Sequence, residues 1–210
     1  HAIDITPPSI ICPANIVQNA DLNACGAVVT YPLPMHSDHC SGSTLTLTSG
    51  PGTASGAQFP IGTTMVNYKA TNGVGYMAVC GFTVTVIDNQ PPVITCPMNM
   101  SVGTAPNMCA APVLYATPIA TDNCPGAVKT LISGPATASG STFPKGTTTV
   151  TWEVRDNALP VNNKAQCSFT VTVVDVQPPT PTCPPNQTKN MDAGVCTAKV
   201  PYTGSFTDNC

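Results

Sequence analysis

Pro7-Pro8-Ser9-Ile10-Ile11-Cys12-Pro13 returns as Pro91-Pro92-Val93-Ile94-Thr95-Cys96-Pro97 and again as Pro178-Pro179-Thr180-Pro181-Thr182-Cys183-Pro184, in steps of 84 and then 87 residues. Self-similarity at a fixed period marks an array of like modules. Outward from these stretches, other landmarks keep the same step. Ser37-Asp38-His39-Cys40 matches Thr121-Asp122-Asn123-Cys124 and Thr207-Asp208-Asn209-Cys210. Phe59-Pro60-Ile61-Gly62-Thr63-Thr64 matches Phe143-Pro144-Lys145-Gly146-Thr147-Thr148. The stretch from Cys80 to Asp88 matches that from Cys167 to Asp175, after an insertion between Asp156 and Cys167. Ile3-Asp4 aligns with Ile87-Asp88 and Val174-Asp175, just ahead of each Pro-Pro. The expected division is a last-strand end of a preceding repeat at 1–6, full repeats at 7–90 and 91–177, and the N-terminal part of a third at 178–210. That phase reads as a window cut from a longer array.

Within a repeat the pattern has period two. Thr64, Val66, Tyr68 and Ala70 alternate with polar residues, and Phe82, Val84 and Val86 alternate with threonines. This marks half-buried antiparallel strands. Further strands are expected from Gly26 to Tyr31 and from Ser43 to Ser49, with turns at Ser49-Gly50-Pro51-Gly52 and Phe59-Pro60-Ile61-Gly62. No stretch carries a helical period. Short strands at this spacing predict an all-β chain of immunoglobulin-like or fibronectin-like sandwiches.

Composition narrows the function. Charged residues are 8% of the chain and the net charge is −3. No basic patch favours nucleic acid, and no apolar run reaches the roughly 20 residues of a membrane helix. Neither a nucleophile elbow nor a phosphate loop is present, so the chain is read as not an enzyme.

The eleven cysteines fall as Cys12, Cys25, Cys40 and Cys80, then Cys96, Cys109, Cys124 and Cys167, then Cys183, Cys196 and Cys210. Gaps of 13, 15 and 40 residues in the first repeat are too wide for typical zinc ligand pairs. Disulfides in an oxidising, extracellular compartment are expected instead. Four cysteines allow three pairings. Topology sets a preference, because Cys12 opens the first strand and Cys80 the last, and in such sandwiches these strands often run side by side and parallel. The expected pairs are Cys12–Cys80, Cys25–Cys40, Cys96–Cys167, Cys109–Cys124 and Cys196–Cys210, with the partner of Cys183 beyond the sequence.

These landmarks resemble the hyalin repeat (HYR) family: Pro-Pro-x-Ile-x-Cys-Pro, Cys25-Gly26-Ala27-Val28-Val29, Thr-Asp-Asn-Cys, Ser-Gly-Pro with Phe-Pro-x-Gly-Thr-Thr, and Cys-x-Phe-Thr-Val-Thr-Val. The resemblance covers essentially the whole chain. It implies an immunoglobulin-like extracellular module, often in long tandem arrays, linked to cell adhesion and surface matrices, with no catalytic residues. Four cysteines per repeat look more like bacterial surface versions than the two-cysteine animal ones. His39 departs from the Asn123 and Asn209 of the other repeats.

Other candidate sites each have a plainer reading. His36-Ser37-Asp38-His39 could bind metal, but a solvated loop is preferred, since the second repeat has Ala120 and Asn123 at the histidine positions. Asp4, Asp88 and Asp175 at the joints, with Asp38, Asp122 and Asp208, could attract calcium. Asp is also an ordinary turn residue, and the turn reading is preferred, with no cofactor expected. Asn99-Met100-Ser101 and Asn186-Gln187-Thr188 fit the N-glycosylation sequon. Trp152 aligns with Tyr68 and reads as a core aromatic.

The expected function is a non-catalytic structural segment of an extracellular stalk, surface adhesin or filament. Its partners would be neighbouring repeats, assembling into fibres or surface arrays. Sandwiches of this size would rise roughly 35–45 Å per repeat. The alternatives are an adhesion module binding a cell-surface glycan or protein, and accessory domains of a larger secreted enzyme.

Overall fold

The computed structural model describes residues 4–40, 42–133, 137–158 and 162–210. Ile3, at the expected last-strand end, lies outside the described residues.

The first repeat is built around a long hairpin. β7 (Gly62–Asn72) and β8 (Met77–Ile87) pair antiparallel from Gly62↔Val86 to Thr71↔Met77. β5 (Ser43–Leu47) joins β7, and β2 (Ile16–Asn19) runs parallel to β8, giving the order β2-β8-β7-β5. Two short antiparallel ladders complete the repeat: β1 (Ser9–Ile11) with β4 (Met35–Ser37), and β3 (Gly26–Val28) with β6 (Gln58–Pro60). β6 passes into β7 through Gly62 at φ 102°, and Gly146 holds the same place at φ 109°. The sharp link needs glycine there, which accounts for the recurring Phe-Pro-x-Gly-Thr-Thr.

The alternation read from the sequence becomes the core. Val66, Tyr68, Ala70, Phe82, Val84 and Val86 are buried, while Thr83 and Thr85 between them are half-buried. Ala27 of β3, Val29 and Tyr31 just after it, and Phe59 of β6 pack against them. Each fully buried valine contributes about 1.5–3 kcal/mol over an exposed one. The Tyr31 ring meets Phe82 edge-on with centroids 5.0 Å apart. Its hydroxyl donates to the Thr53 carbonyl and lies 3.1 Å from the Tyr68 hydroxyl, so the apolar core keeps its polar tip satisfied.

The second repeat repeats the plan. β9 (Val93–Thr95) pairs with β12 (Ile119–Thr121), and β11 (Ala110–Pro112) with β14 (Thr142–Pro144). β10 (Met100–Gly103) lies parallel to β16 (Lys164–Val174), and with β13 (Val128–Leu131) and β15 (Gly146–Arg155) the order is β10-β16-β15-β13. Tyr115, Phe143, Val150, Phe169, Val171 and Val173 lie in its core, and Trp152 packs partly buried against it. In the third, β17 (Thr180–Thr182) and β18 (Ser205–Thr207) form the ladder equivalent to β1–β4. The fold is all-β, a series of immunoglobulin-like sandwiches stapled by disulfides.

The chain divides into two compact units. The first comprises His1–Thr95, Ile119–Thr130 and Glu153–Gln166; the second comprises Cys96–Pro118, Leu131–Trp152 and Cys167–Cys210. The first unit therefore holds a whole repeat and the joint that follows it.

Disulfides join Cys12 to Cys80 and Cys96 to Cys167, each with a Cα–Cα distance of 5.7 Å. The expected Cys25–Cys40, Cys109–Cys124 and Cys196–Cys210 pairs are corrected by the structure. Cys25 bonds Cys124, Cys109 bonds Cys210, and Cys40, Cys183 and Cys196 are exposed thiols. The reason is strand register. Ser9↔Ser37 pairing carries Cys40 past the start of β1, to Thr6 and Pro7. The bond from Ala20 N–H to the Ile87 carbonyl holds the Cys25 loop near the end of β8. β8 has 11 residues and spans about 35 Å at ~3.3 Å per residue, whereas a disulfide bridges Cα atoms less than about 7 Å apart. Cys25 and Cys40 thus sit at opposite ends of one sandwich.

Candidate functional site at the repeat joint

The joint between the first and second repeats is a closely hydrogen-bonded polar region of the first unit. It starts with Asp88, whose Oδ1 accepts from the Gln90 backbone N–H at 3.1 Å. This turn fixes the approach to Pro91-Pro92, whose rings restrict the backbone further. Gln90 then clamps the loop that carries Cys25. Its Oε1 accepts from Asn23 N–H at 2.8 Å and its Nε2 donates to the Asp21 carbonyl at 3.0 Å. Asn23 takes the left-handed conformation, φ 59°, which lets the loop turn back toward Cys25.

Residues of the second repeat close the joint from the other side. Asn123 Nδ2 donates to the Ala24 carbonyl at 3.0 Å and to Asp88 Oδ1 at 3.1 Å. Asn163 Nδ2 donates to the Asp88 carbonyl and to Asp156 Oδ2. The Cys25–Cys124 bond lies beside these contacts, with Cα atoms 4.8 Å apart.

The second unit repeats the constellation after the second repeat. Asp175 accepts from Gln177 N–H, Gln177 Oε1 accepts from Asn107 N–H at 2.8 Å, and Asn209 Nδ2 donates to the Met108 carbonyl at 2.8 Å. Asn107 is also left-handed, φ 58°, and Cys109 bonds Cys210. The hydrogen bond from Gln177 N–H, together with Lys145 Nζ at 3.2 Å, holds the Asp175 carboxyl below the usual carboxylate range.

Asp88, Asp122 and Asp156 bring three carboxylates together, one oxygen of each lying within 4.8 Å of the others. Asp88 and Asp156 are 3% and 2% exposed. Asp122 Oδ1 is buried and accepts no hydrogen bond. Burial pushes the Asp122 carboxyl up, and the charges of Asp88 and Asp156 add to this. These are the residues that could hold a divalent cation, but three carboxylates meet only part of calcium's six to eight oxygens. In addition, Asp88 Oδ1 and both Asp156 oxygens already accept amide hydrogens. The joint ahead of the first repeat resolves the same crowding differently. There Asn72 stands where Asp156 would, and its Nδ2 donates to Asp4 Oδ2 at 3.1 Å.

The electrostatics give a prediction. Burial and the neighbouring carboxylates hold the folded-state pKa of Asp122 above the ordinary value of 3.8, so its ionisation opposes folding near neutrality. That penalty is relieved as pH falls through the raised value toward 3.8. In the presence of a chelator, Asp122→Asn will be more stable than wild type at pH 7, with the difference shrinking on acidification. Thermal melts across pH 3–7 check this. Added calcium reverses the ranking only if the three carboxylates take up the ion.

The remaining candidates resolve simply. His36 Nδ1 is hydrogen-bonded to Ser43 Oγ at 2.7 Å. Asn99 is exposed, and its Oδ1 accepts from Thr170 N–H at 2.8 Å. Asn15, which lacks the sequon, makes the same bond to Thr83 N–H, so this asparagine has a structural use in both of the first two repeats. Asn186 is exposed. No helix among the described residues is long and apolar enough to cross a membrane. Sequence reading missed Asp156, Asn163 and the two clamping glutamines, Gln90 and Gln177. The only available signal for the glutamines was their recurrence immediately before Pro-Pro.

The HYR domain family matches residues 3–86 and 87–173. Hyalin of Strongylocentrotus purpuratus is 35% identical over 207 residues, covering 96% of this chain and 16% of the relative. Hyalin of Lytechinus variegatus is 32% identical over 205 residues, covering 96% of this chain and 37% of the relative. The chain therefore spans well under two thirds of either protein. Neither relative lends support to the comparison with bacterial repeats. Among solved structures, a protocadherin gamma-B4 extracellular domain aligns over 98% of this chain and 38% of its own, with 16% identity and a TM-score of 0.39.

Proposed function

The chain belongs to the HYR domain family, and on that premise we propose that it is a non-catalytic, load-carrying segment of an extracellular array of repeats. The observation that carries this reading is the joint. The same asparagine, glutamine and cysteine set closes it twice, at Cys25–Cys124 and at Cys109–Cys210. A cross-link between successive repeats has no evident use in a catalytic module. It resists bending and extension of a chain of domains. Four disulfides among the described residues fit an oxidising, extracellular or cell-surface setting.

Self-assembly or adhesion through neighbouring repeats follows from the same reading. Charged residues are only 8% of the chain, so little repulsion opposes close packing of like surfaces. Electron microscopy of native material tests the proposal. Thin fibres or stalks with an axial period of roughly 35–45 Å, or twice that, are expected. Isolated globular particles holding two or three repeats would overturn it.

A further inference from the structure

Two exposed thiols, Cys40 and Cys196, occupy positions whose equivalents are bonded across the joints. The bonded partners fall into two sequence classes. Cys25 and Cys109 each begin a Cys-x-Ala-x-Val stretch, and so does Cys196. Cys124 and Cys210 each end an Asp-x-Cys stretch, and so does Cys40. Both inter-repeat bonds run from a Cys-x-Ala-x-Val cysteine to the Asp-x-Cys cysteine of the next repeat.

The surfaces agree with the cysteines. Around Cys40 lies a cleft of about 320 Å³ lined by Thr6, Pro7, Ser9, Ser37, Asp38 and His39. Shifted by one repeat, these become Gln90, Pro91, Val93, Thr121, Asp122 and Asn123. Those residues line a cleft of about 290 Å³ at the first joint, together with Asn23 from the loop that carries Cys25. The Cys40 cleft is thus the same receiving surface. The other half is also formed. In the 192–196 loop, Val195 N–H donates to the Asp192 carbonyl, as Ala24 does to Asp21 and Met108 to Ala105. Gly194 at φ 83° takes the left-handed place held by Asn23 and Asn107.

We infer that Cys40 and Cys196 are two ends of a staggered disulfide ladder. Cys40 receives the Cys-x-Ala-x-Val loop of a preceding HYR repeat, and Cys196 enters the Asp-x-Cys cleft of a following one. The inference rests on the array reading and extends it, since every repeat becomes covalently tied to both neighbours. Each bond forms by thiol–disulfide exchange with a disulfide oxidant of the oxidised-glutathione type. Two thiols lose two protons and two electrons, one S–S bond forms, and the oxidant's S–S bond becomes two thiols. His39 and Thr6 replace the asparagine and glutamine of the other joints, so the Cys40 joint lacks the glutamine clamp and depends more on its disulfide.

The test is a peptide map of the native, full-length protein, alkylated before digestion with pepsin and never reduced. The Cys40 peptide is expected joined to a peptide containing Cys-x-Ala-x-Val, and the Cys196 peptide to one containing Asp-x-Cys. The isolated 210-residue chain, mapped alongside, should show both as alkylated thiols. Alkylated Cys40 in the native protein, or a bond from Cys40 to Cys25 or to another Asp-x-Cys, overturns the inference. Fibres by microscopy with alkylated Cys40 would overturn the ladder alone. Isolated particles would overturn the array itself.

Discussion

Replacing Cys25 and Cys124 together by alanine will lower the stability of the first unit by about 3–4 kcal/mol. The bond closes a 99-residue separation, for which loop-closure entropy alone gives about 4–5 kcal/mol. Cys12–Cys80 already shortens the path between them, which brings the expectation down. For a unit of this size the midpoint falls by roughly 10–20 °C. Cys40→Ala serves as the control. Cys40 is exposed and unbonded in this chain, so its loss should leave the melt unchanged. If Cys40 were instead the partner of Cys25, that single change would destabilise the protein as much as the double one. Thermal unfolding followed by circular dichroism separates the two cases.

Phe59→Ala is expected to cost the first unit about 3–5 kcal/mol. Phe59 is 0% exposed at the centre of the cluster formed by Tyr31, Val66, Phe82 and Val84. Its ring sits edge-on to Tyr31, centroids 6.5 Å apart, so truncation removes apolar contacts and the wall that fixes the tyrosine. Phe143, also 0% exposed, is its counterpart in the second unit. Phe143→Ala should therefore lower the other part of the unfolding profile. Guanidinium unfolding monitored by near-ultraviolet circular dichroism reads both.

Much of the fold is visible in the sequence because it depends on short-range pattern. Alternation in Val66, Tyr68 and Ala70, and in Phe82, Val84 and Val86, needs only the period of a strand to place those side chains inside. The glycine at position 62 and its repeat at 146 mark a tight link that other residues tolerate poorly. Cysteine pairing is a different kind of information. It depends on which end of a sandwich each cysteine reaches, and that is set by the Ser9↔Ser37 register and the path of the 20–25 loop. The 15-residue gap between Cys25 and Cys40 suggests a local loop, yet those residues lie at opposite ends. The recurrence of Cys-x-Ala-x-Val and Asp-x-Cys was present in the sequence, but nothing local links one class to the other.

The joint carboxylates show a second limit. Asp88 and Asp122 stand out because Asp recurs at their positions, whereas Asp156 aligns with Asn72. Its meeting with Asp88 and Asp122 is a product of folding across the joint, with residues 34 to 68 positions apart in the chain brought within 4.8 Å. The sequons illustrate the reverse. Asn99 looks like a modification signal, yet Asn15 makes the same strand-pinning hydrogen bond without one.

The central claim is that successive repeats are tied to each other by a disulfide rather than each being stapled only within itself. Peptide mapping of the alkylated, unreduced 210-residue chain tests it most directly. The account predicts a disulfide-linked pair of peptides carrying Cys25 and Cys124. A pair carrying Cys25 and Cys40 would contradict it.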